Sequence, residues 1–349
     1  MVRWLKSDKN GFLILNKLKL ALYTFFLLNI LTITSHFELC AQNNDSFHVK
    51  WIEEFKSTST GEENSGIVTK LLNFITGKEQ TKLIRPANIV VHQENYWILD
   101  QGSKFINHID FGNKNSHLIQ DQNDNSFPSL VGICKIDKGE IYFTDSQNNK
   151  IYELNSDNKV AVEFASNIKL NKPTGIAYSE KSKSLFVCET GSHRILEIDL
   201  KGKINNILGI RGINEGEFNF PTYIWIDKEG LIYIVDSINF RVQIFDHEYN
   251  LISAFGEAGD GTGYLARPKG IATDSYGHIY IVDALFHNVQ VFNNEGKFLY
   301  HFGNQGSGDG EFWLPMGIYI DKLNKIYVAD SYNSRIQIFQ LEKGKNIEN

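Results

Sequence analysis

Hydrophobic residues along this chain come in short packets separated by polar turns. Six packets share one form, an aromatic and β-branched run closed by an acid: Tyr96–Asp100, Ile141–Asp145, Leu185–Glu189, Ile232–Asp236, Ile279–Asp283 and Ile326–Asp330. Runs of that length and composition, bounded by turn residues, are strands. The later part of the chain shows what surrounds each packet. Pro268-Lys269-Gly270-Ile271-Ala272 opens a strand, Ser275-Tyr276-Gly277 turns into the Ile279–Asp283 packet, Val289–Phe292 makes a third strand, and after Asn294-Glu295-Gly296 the run Phe298–Phe302 makes a fourth. Helical spacing occurs in one place: Ile67, Val68, Leu71, Leu72, Phe74 and Ile75, with Gly77 as a stop, predict a short amphipathic helix over residues 66–77.

The unit repeats. The six prolines of the chain, Pro86, Pro128, Pro173, Pro221, Pro268 and Pro315, are spaced 42, 45, 48, 47 and 47 residues apart, and each precedes its acid by 14 to 17 residues. A period of 40 to 50 residues built from four antiparallel strands is the signature of a propeller blade, and six of them predict an all-β, six-bladed β-propeller. Pro128 stands about two residues out of phase, which predicts a local bulge or insertion. The sixth unit stops after a third strand, Arg335–Phe339, while Phe47, Val49 and Trp51 alternate upstream of the first unit. Residues 47–55 are therefore expected to supply the outer strand of the last blade, hiding two sheet edges. The expected organisation is a leader over 1–41; the closing strand, a polar loop and the short helix over 42–84; the propeller over 85–340; and a polar tail over 341–349.

The motifs Pro-x-Gly-Ile, Ile-Tyr-Val-x-Asp and Asn-x-Arg-[Val/Ile]-Gln-[Val/Ile]-Phe with a closing Phe-Gly resemble the NHL-repeat family. Phe218–Phe255, Leu265–Phe302 and Phe312–Phe339 match best, and the likeness, which covers 85–340, fades toward the first two units. It implies a binding scaffold as the first expectation and, as the alternative, an enzyme of lactonase or lyase type working in the axial channel.

The residue chemistry speaks against catalysis. The peptidyl-α-hydroxyglycine α-amidating lyases, which NHL propellers resemble, hold zinc on histidines directly after the blade prolines. Those places are read here as Ala87, Ser129, Thr174, Thr222, Lys269 and Met316, none of them a zinc ligand. Lactonase-like propellers use axial oxygen ligands for calcium, and Asn88 alone lies at the required depth. No Gly-x-Ser-x-Gly elbow occurs. His193 and His287 share one phase of the repeat and read as surface residues. The recurrent acids Glu189, Asp236 and Asp330, each followed five residues later by Arg194, Arg241 or Arg335, read as structural braces. The glycine-rich loops 209–216, 256–263 and 303–310 read as blade connectors rather than phosphate cradles. No catalytic residue, metal or cofactor is expected.

The candidate binding residues lie on the loops between second and third strands and on the connectors before each proline. Polar loop residues are replaced there by Ile238, Phe240, Leu285, Phe286 and Tyr332, with His287, Tyr223 and Trp313 nearby in phase, and an exposed aromatic and aliphatic cluster is the usual mark of a protein or peptide partner. Arg85, Lys172, Arg267 and Lys269 flank their prolines and are expected to form a basic collar at one channel mouth, suited to a carboxylate or an acidic peptide.

Charge and the N-terminus narrow the setting. A formal net charge of −6, with five of the basic residues (Arg3, Lys6, Lys9, Lys17, Lys19) in the leader, excludes a nucleic-acid surface. That basic leader, the apolar run Leu20–Ile33 and Leu39-Cys40-Ala41 predict export. Cleavage near Ala41, an uncleaved membrane anchor and a lipid-modified Cys40 all remain open. Any membrane contact is expected through this segment alone, the propeller itself as a monomer. Cys134 and Cys188 fall in different units, and spacing does not argue for a disulfide.

Overall fold

The structure, a computed structural model, describes residues 47–56, 82–113, 115–136, 139–154 and 159–344. The leader and the segment expected to be helical lie outside these residues. Val49–Leu341 is one compact unit. Of the described residues that flank it, His48 Nε2 lies 3.1 Å from a carboxylate oxygen of Glu342.

The main unit is a six-bladed propeller. Blade three shows the plan, with Pro173–Ser179, Ser184–Glu189, Arg194–Asp199 and Ile204–Leu208 pairing antiparallel in that order, and blades four and five repeat it. The second strands Ile232–Asp236 and Ile279–Asp283 are buried at every position, because a neighbouring blade covers each face. Their continuous apolar sequence follows from that double cover. Outer strands such as Ile204–Leu208 and Phe298–Phe302 alternate between half-buried and exposed positions, since their second face is wet.

The ring closes as the leftover strands predict. Blade six consists of Ile318–Ile320, Lys325–Asp330, Arg335–Lys343 and, as its outer strand, Phe47–Lys56. The innermost strands pack side by side around the axis, the first blade against the sixth. Their approach explains the glycine of the Pro-x-Gly motif. A Cβ on Gly175 would stand 2.8 Å from both the Thr222 carbonyl oxygen and the Tyr223 Cα of the next blade. Gly175→Ala is therefore expected to cost about 1–3 kcal/mol. An unfolding midpoint unchanged in denaturant would show that the two strands are not in this contact.

Two features break the six-fold pattern. Leu130, not Pro128, faces the blade acid Asp145, as Pro173 faces Glu189 and Pro221 faces Asp236. The residue after the register position in blade two is thus Val131, which replaces Ser129 in the series read from sequence. The outer strands Asn115–Asp121 and Val160–Phe164 also pair in parallel through Gln120 with Val160 and Asp121 with Ala161, which fuses blades one and two into an eight-stranded sheet.

Blades are stitched together by side chains of one phase. In blades one, three and six the residue after the blade acid reaches the register carbonyl of the next blade: Gln101 Nε2 donates to Leu130 O at 2.8 Å, Thr190 Oγ1 to Pro221 O at 2.6 Å, and Ser331 Oγ to Pro86 O, which joins the last blade to the first. Cys134 and Cys188 are buried free thiols in separate core clusters. Burial pushes both thiols above their ordinary range.

Candidate functional site

Strand direction places the blade acids, the loops after them and the connectors before each register position on one face of the propeller. The acids organise that face. Asp236 accepts the Asn219 N–H at 2.6 Å and the Arg241 Nε at 2.9 Å, while Arg241 Nη2 donates to the Asn214 and Glu217 carbonyls of the glycine-rich connector. Gln243 completes the clamp by donating to Glu217 O and accepting from Gly216 N. Asp330, Arg335 and Gln337 repeat this in blade six. The acid–arginine pairs are braces, and the connectors are held at both ends.

His193 and His287 are braces as well. Each has a left-handed backbone, with φ of 56° and 53°, which turns its ring toward the next blade. There the Nδ1 atoms accept the Phe220 and Leu314 N–H groups at 3.1 and 3.0 Å. Asn149 does the same for the Lys172 N–H at 2.7 Å. His287, one of the expected partner contacts, therefore holds the connector that carries Trp313.

The remaining expected contacts separate into exposed and packed groups. Ile238, Leu285, Trp313 and Tyr332 are 53%, 53%, 49% and 52% exposed on blades four, five and six. Trp313 and Tyr332 stand together, with ring centroids 6.3 Å apart and the Tyr332 N–H donating to the Trp313 carbonyl. Phe240 and Phe286 are half-buried, Phe240 against the cluster that contains Val242 and Leu265, and Tyr223 is buried. Sequence reasoning missed Ile210 and Ile213, highly exposed on the connector into blade four. Two isoleucines inside an otherwise polar glycine loop were the available signal.

The basic positions also divide. Arg85, Lys172 and Arg267 are exposed, and Lys269 is half-buried in the axis. Lys172 has a positive φ of 52°, whereas the Arg85 and Arg267 N–H groups turn to Asp100 and Asp283 of their own blades. Burial first, and then the neighbouring Arg267 charge, pulls the Lys269 ammonium down to about 8.

The register-following residues around the axis are Ala87, Val131, Thr174, Thr222, Lys269 and Met316. Asn88 spends its amide on the Val131 carbonyl and the Ile89 N–H. Among the described residues no three His, Cys, Asp or Glu side chains gather as a metal-ligand set. On the same face, at the fused rim of blades one and two, a polar cleft of about 480 Å³ is lined by Asp121, Asn123, Asn125, Asn148, Lys150 and Tyr152.

Fold and repeat together define a six-bladed β-propeller, and its repeats are similar to those of NHL-repeat proteins. A family model described as a 6-bladed beta-propeller matches residues 264–349. NHL repeat-containing protein 2 of Gallus gallus is 30% identical over 93 residues, 24% of this chain and 13% of that protein, and the Homo sapiens form is 29% identical over the same length. The match thus spans about an eighth of those relatives. Among solved structures, virginiamycin B lyase from Staphylococcus aureus superposes with a TM-score of 0.56 at 15% identity, covering 85% of this chain and 100% of that one. An auxiliary nutrient binding protein from Bacteroides ovatus gives 0.60 at 14%, covering 85% and 77%. At such identities the likeness is one of fold.

Proposed function

We propose that this chain is an exported, non-catalytic scaffold that binds a protein or peptide through the loop face of blades four to six. The observation that carries the reading is the exposure of Ile238, Leu285, Trp313 and Tyr332 at equivalent or neighbouring places of three consecutive blades. Large apolar side chains grouped on loops that clamps hold rigid are pre-organised for recognition, so little entropy is lost when a partner orders them. The brace roles of His193, His287, Asp236 and Asp330 remove the groups of this face that most resemble acids and bases from the list of reactive ones. Export rests on the basic leader and its apolar run, and a solved relative in fold carries the name nutrient binding protein.

The test is selection of a peptide library on the purified protein, followed by affinity measurement. Leu285→Ser combined with Trp313→Ala is expected to weaken selected peptides by about tenfold or more, since each removes a large apolar contact. Leu323→Ser, an exposed residue on the turn at the opposite face, is expected to change nothing. Equal loss from both variants, or none from either, sinks the proposal.

A further inference from the structure

Of the six side chains that follow the register positions around the axis, only Lys269 is charged. Its ammonium is half-buried, and neither it nor the guanidinium of Arg267, two residues earlier, has a hydrogen-bond or ion-pair partner among the described residues. A third unpaired donor stands on the strand Pro221–Ile226, which packs against Pro268–Thr273. Tyr223 occupies the place that glycine takes in blades two, three, five and six, so its ring fills the seam between blades four and five. The side chain is 5% exposed, and its hydroxyl is buried without a partner. Arg267 is near enough to bear on the proton equilibria of both Tyr223 and Lys269.

The Asp283 carboxylate offsets this positive charge in part but makes no bond to Lys269. Asp283 is committed to the N–H groups of Ala266, Arg267, Leu285 and Phe286. Blade five also has Asn288 opposite its acid, where blades four and six have Arg241 and Arg335. A half-buried ammonium and a buried hydroxyl left unpaired are costly, the exposed Arg267 adds positive charge beside them, and a bound anion is the group that would offset that cost.

We propose that the axial mouth between blades four and five is a carboxylate site, in which Lys269 and Arg267 supply charge and Tyr223 donates its hydroxyl proton. One negative charge with two acceptor oxygens suits these three donors. A phosphate dianion asks for more, and the local backbone N–H groups of Ala266 and Arg267 are already taken. The site does not depend on the apolar patch binding a protein. A free small acid and the C-terminus of a peptide share the chemistry.

Calorimetric titration of the full chain with benzoate, benzamide and inorganic phosphate tests it. Benzoate is expected to bind one site and benzamide not. Lys269→Met is expected to weaken benzoate by about tenfold or more, Arg267→Gln and Tyr223→Phe by about threefold to tenfold each, and Lys172→Gln not at all. Affinity is expected to fall as pH rises through about 8, where Lys269 loses its proton. Thermal melts establish that each variant is folded. A peptide with a free C-terminus that binds more tightly than benzoate, and only while unamidated, assigns the source to chain ends; binding of benzoate alone assigns it to small acids. Equal binding of benzoate and benzamide, tighter binding of phosphate, a Lys269→Met variant that binds normally, or no heat at millimolar benzoate overturns the proposal.

Discussion

Replacing Arg335 with methionine is expected to lower the stability of the propeller by about 3–5 kcal/mol, a fall of roughly 5–15 °C in melting temperature. Arg335 is buried where the ring closes. Its Nε donates to Asp330 at 2.7 Å, one Nη to Glu54 at 2.6 Å, and the other to the Gly308 and Glu311 carbonyls at 2.8 Å. One side chain thus ties together the closing strand, the third strand of blade six and the connector. Removing it leaves the buried Asp330 carboxylate without its cation and the Glu54 carboxylate with Lys56 alone. Burial alone would raise the Glu54 carboxyl, but the Lys56 ammonium and the Arg335 guanidinium hold it below its ordinary range. Glu54 therefore contributes stability above its unfolded-state pKa, and loses it as pH falls through the lower folded value. Adding Glu54→Gln to the Arg335→Met variant is expected to recover part of the loss. A single variant that melts within a degree or two of the parent would show that the ion network does not hold the ring shut.

The second large effect is a pH dependence centred on blade one. His108 is buried, stacked on Trp97 with centroids 4.9 Å apart and edge-on to His117 at 4.9 Å; its Nε2 meets Asn95 Oδ1 at 2.9 Å, and its Nδ1 has no partner. Burial, reinforced by His117, lowers its pKa from 6.5 to about 4. Between those values the unfolded chain binds a proton that the folded chain refuses, so stability falls as pH drops through that window, by up to about 3 kcal/mol. Later blades place Ile244, Val291 and Ile338 at this point of the third strand. His108→Ile is expected to remove that component. Denaturant unfolding at pH 7, 5 and 4 checks it: parallel pH profiles for parent and variant would mean that His108 is already charged in the fold.

The same blade shows why the early repeats were faint in sequence. Phe105 and Asn107 stand where blades four and six have the arginine and glutamine of the clamp. The shorter Asn107 amide is buried with no partner, whereas Gln243, Gln290 and Gln337 reach their connectors. Losing the clamp loses the motif that made the later units recognisable. The second packets survived in all six blades because a strand covered on both faces must be apolar throughout.

By itself the sequence determined the blades: their number from the proline period, their strands from turn-bounded apolar packets, and the closing role of residues 47–55 from one unit short of a strand and one strand short of a unit. The tertiary structure alone decided register and pairing between units. Leu130 rather than Pro128 faces Asp145 because the hydrogen-bond ladder, not residue type, fixes the match. Only the assembled ring turned His193 and His287 toward the next blade, exposed Ile213, buried Tyr223 in a seam and left Lys269 at the axis without a partner among the described residues. Each of these depends on contacts between residues of different blades, and side-chain periodicity within a strand carries no information about a neighbour that distant along the chain.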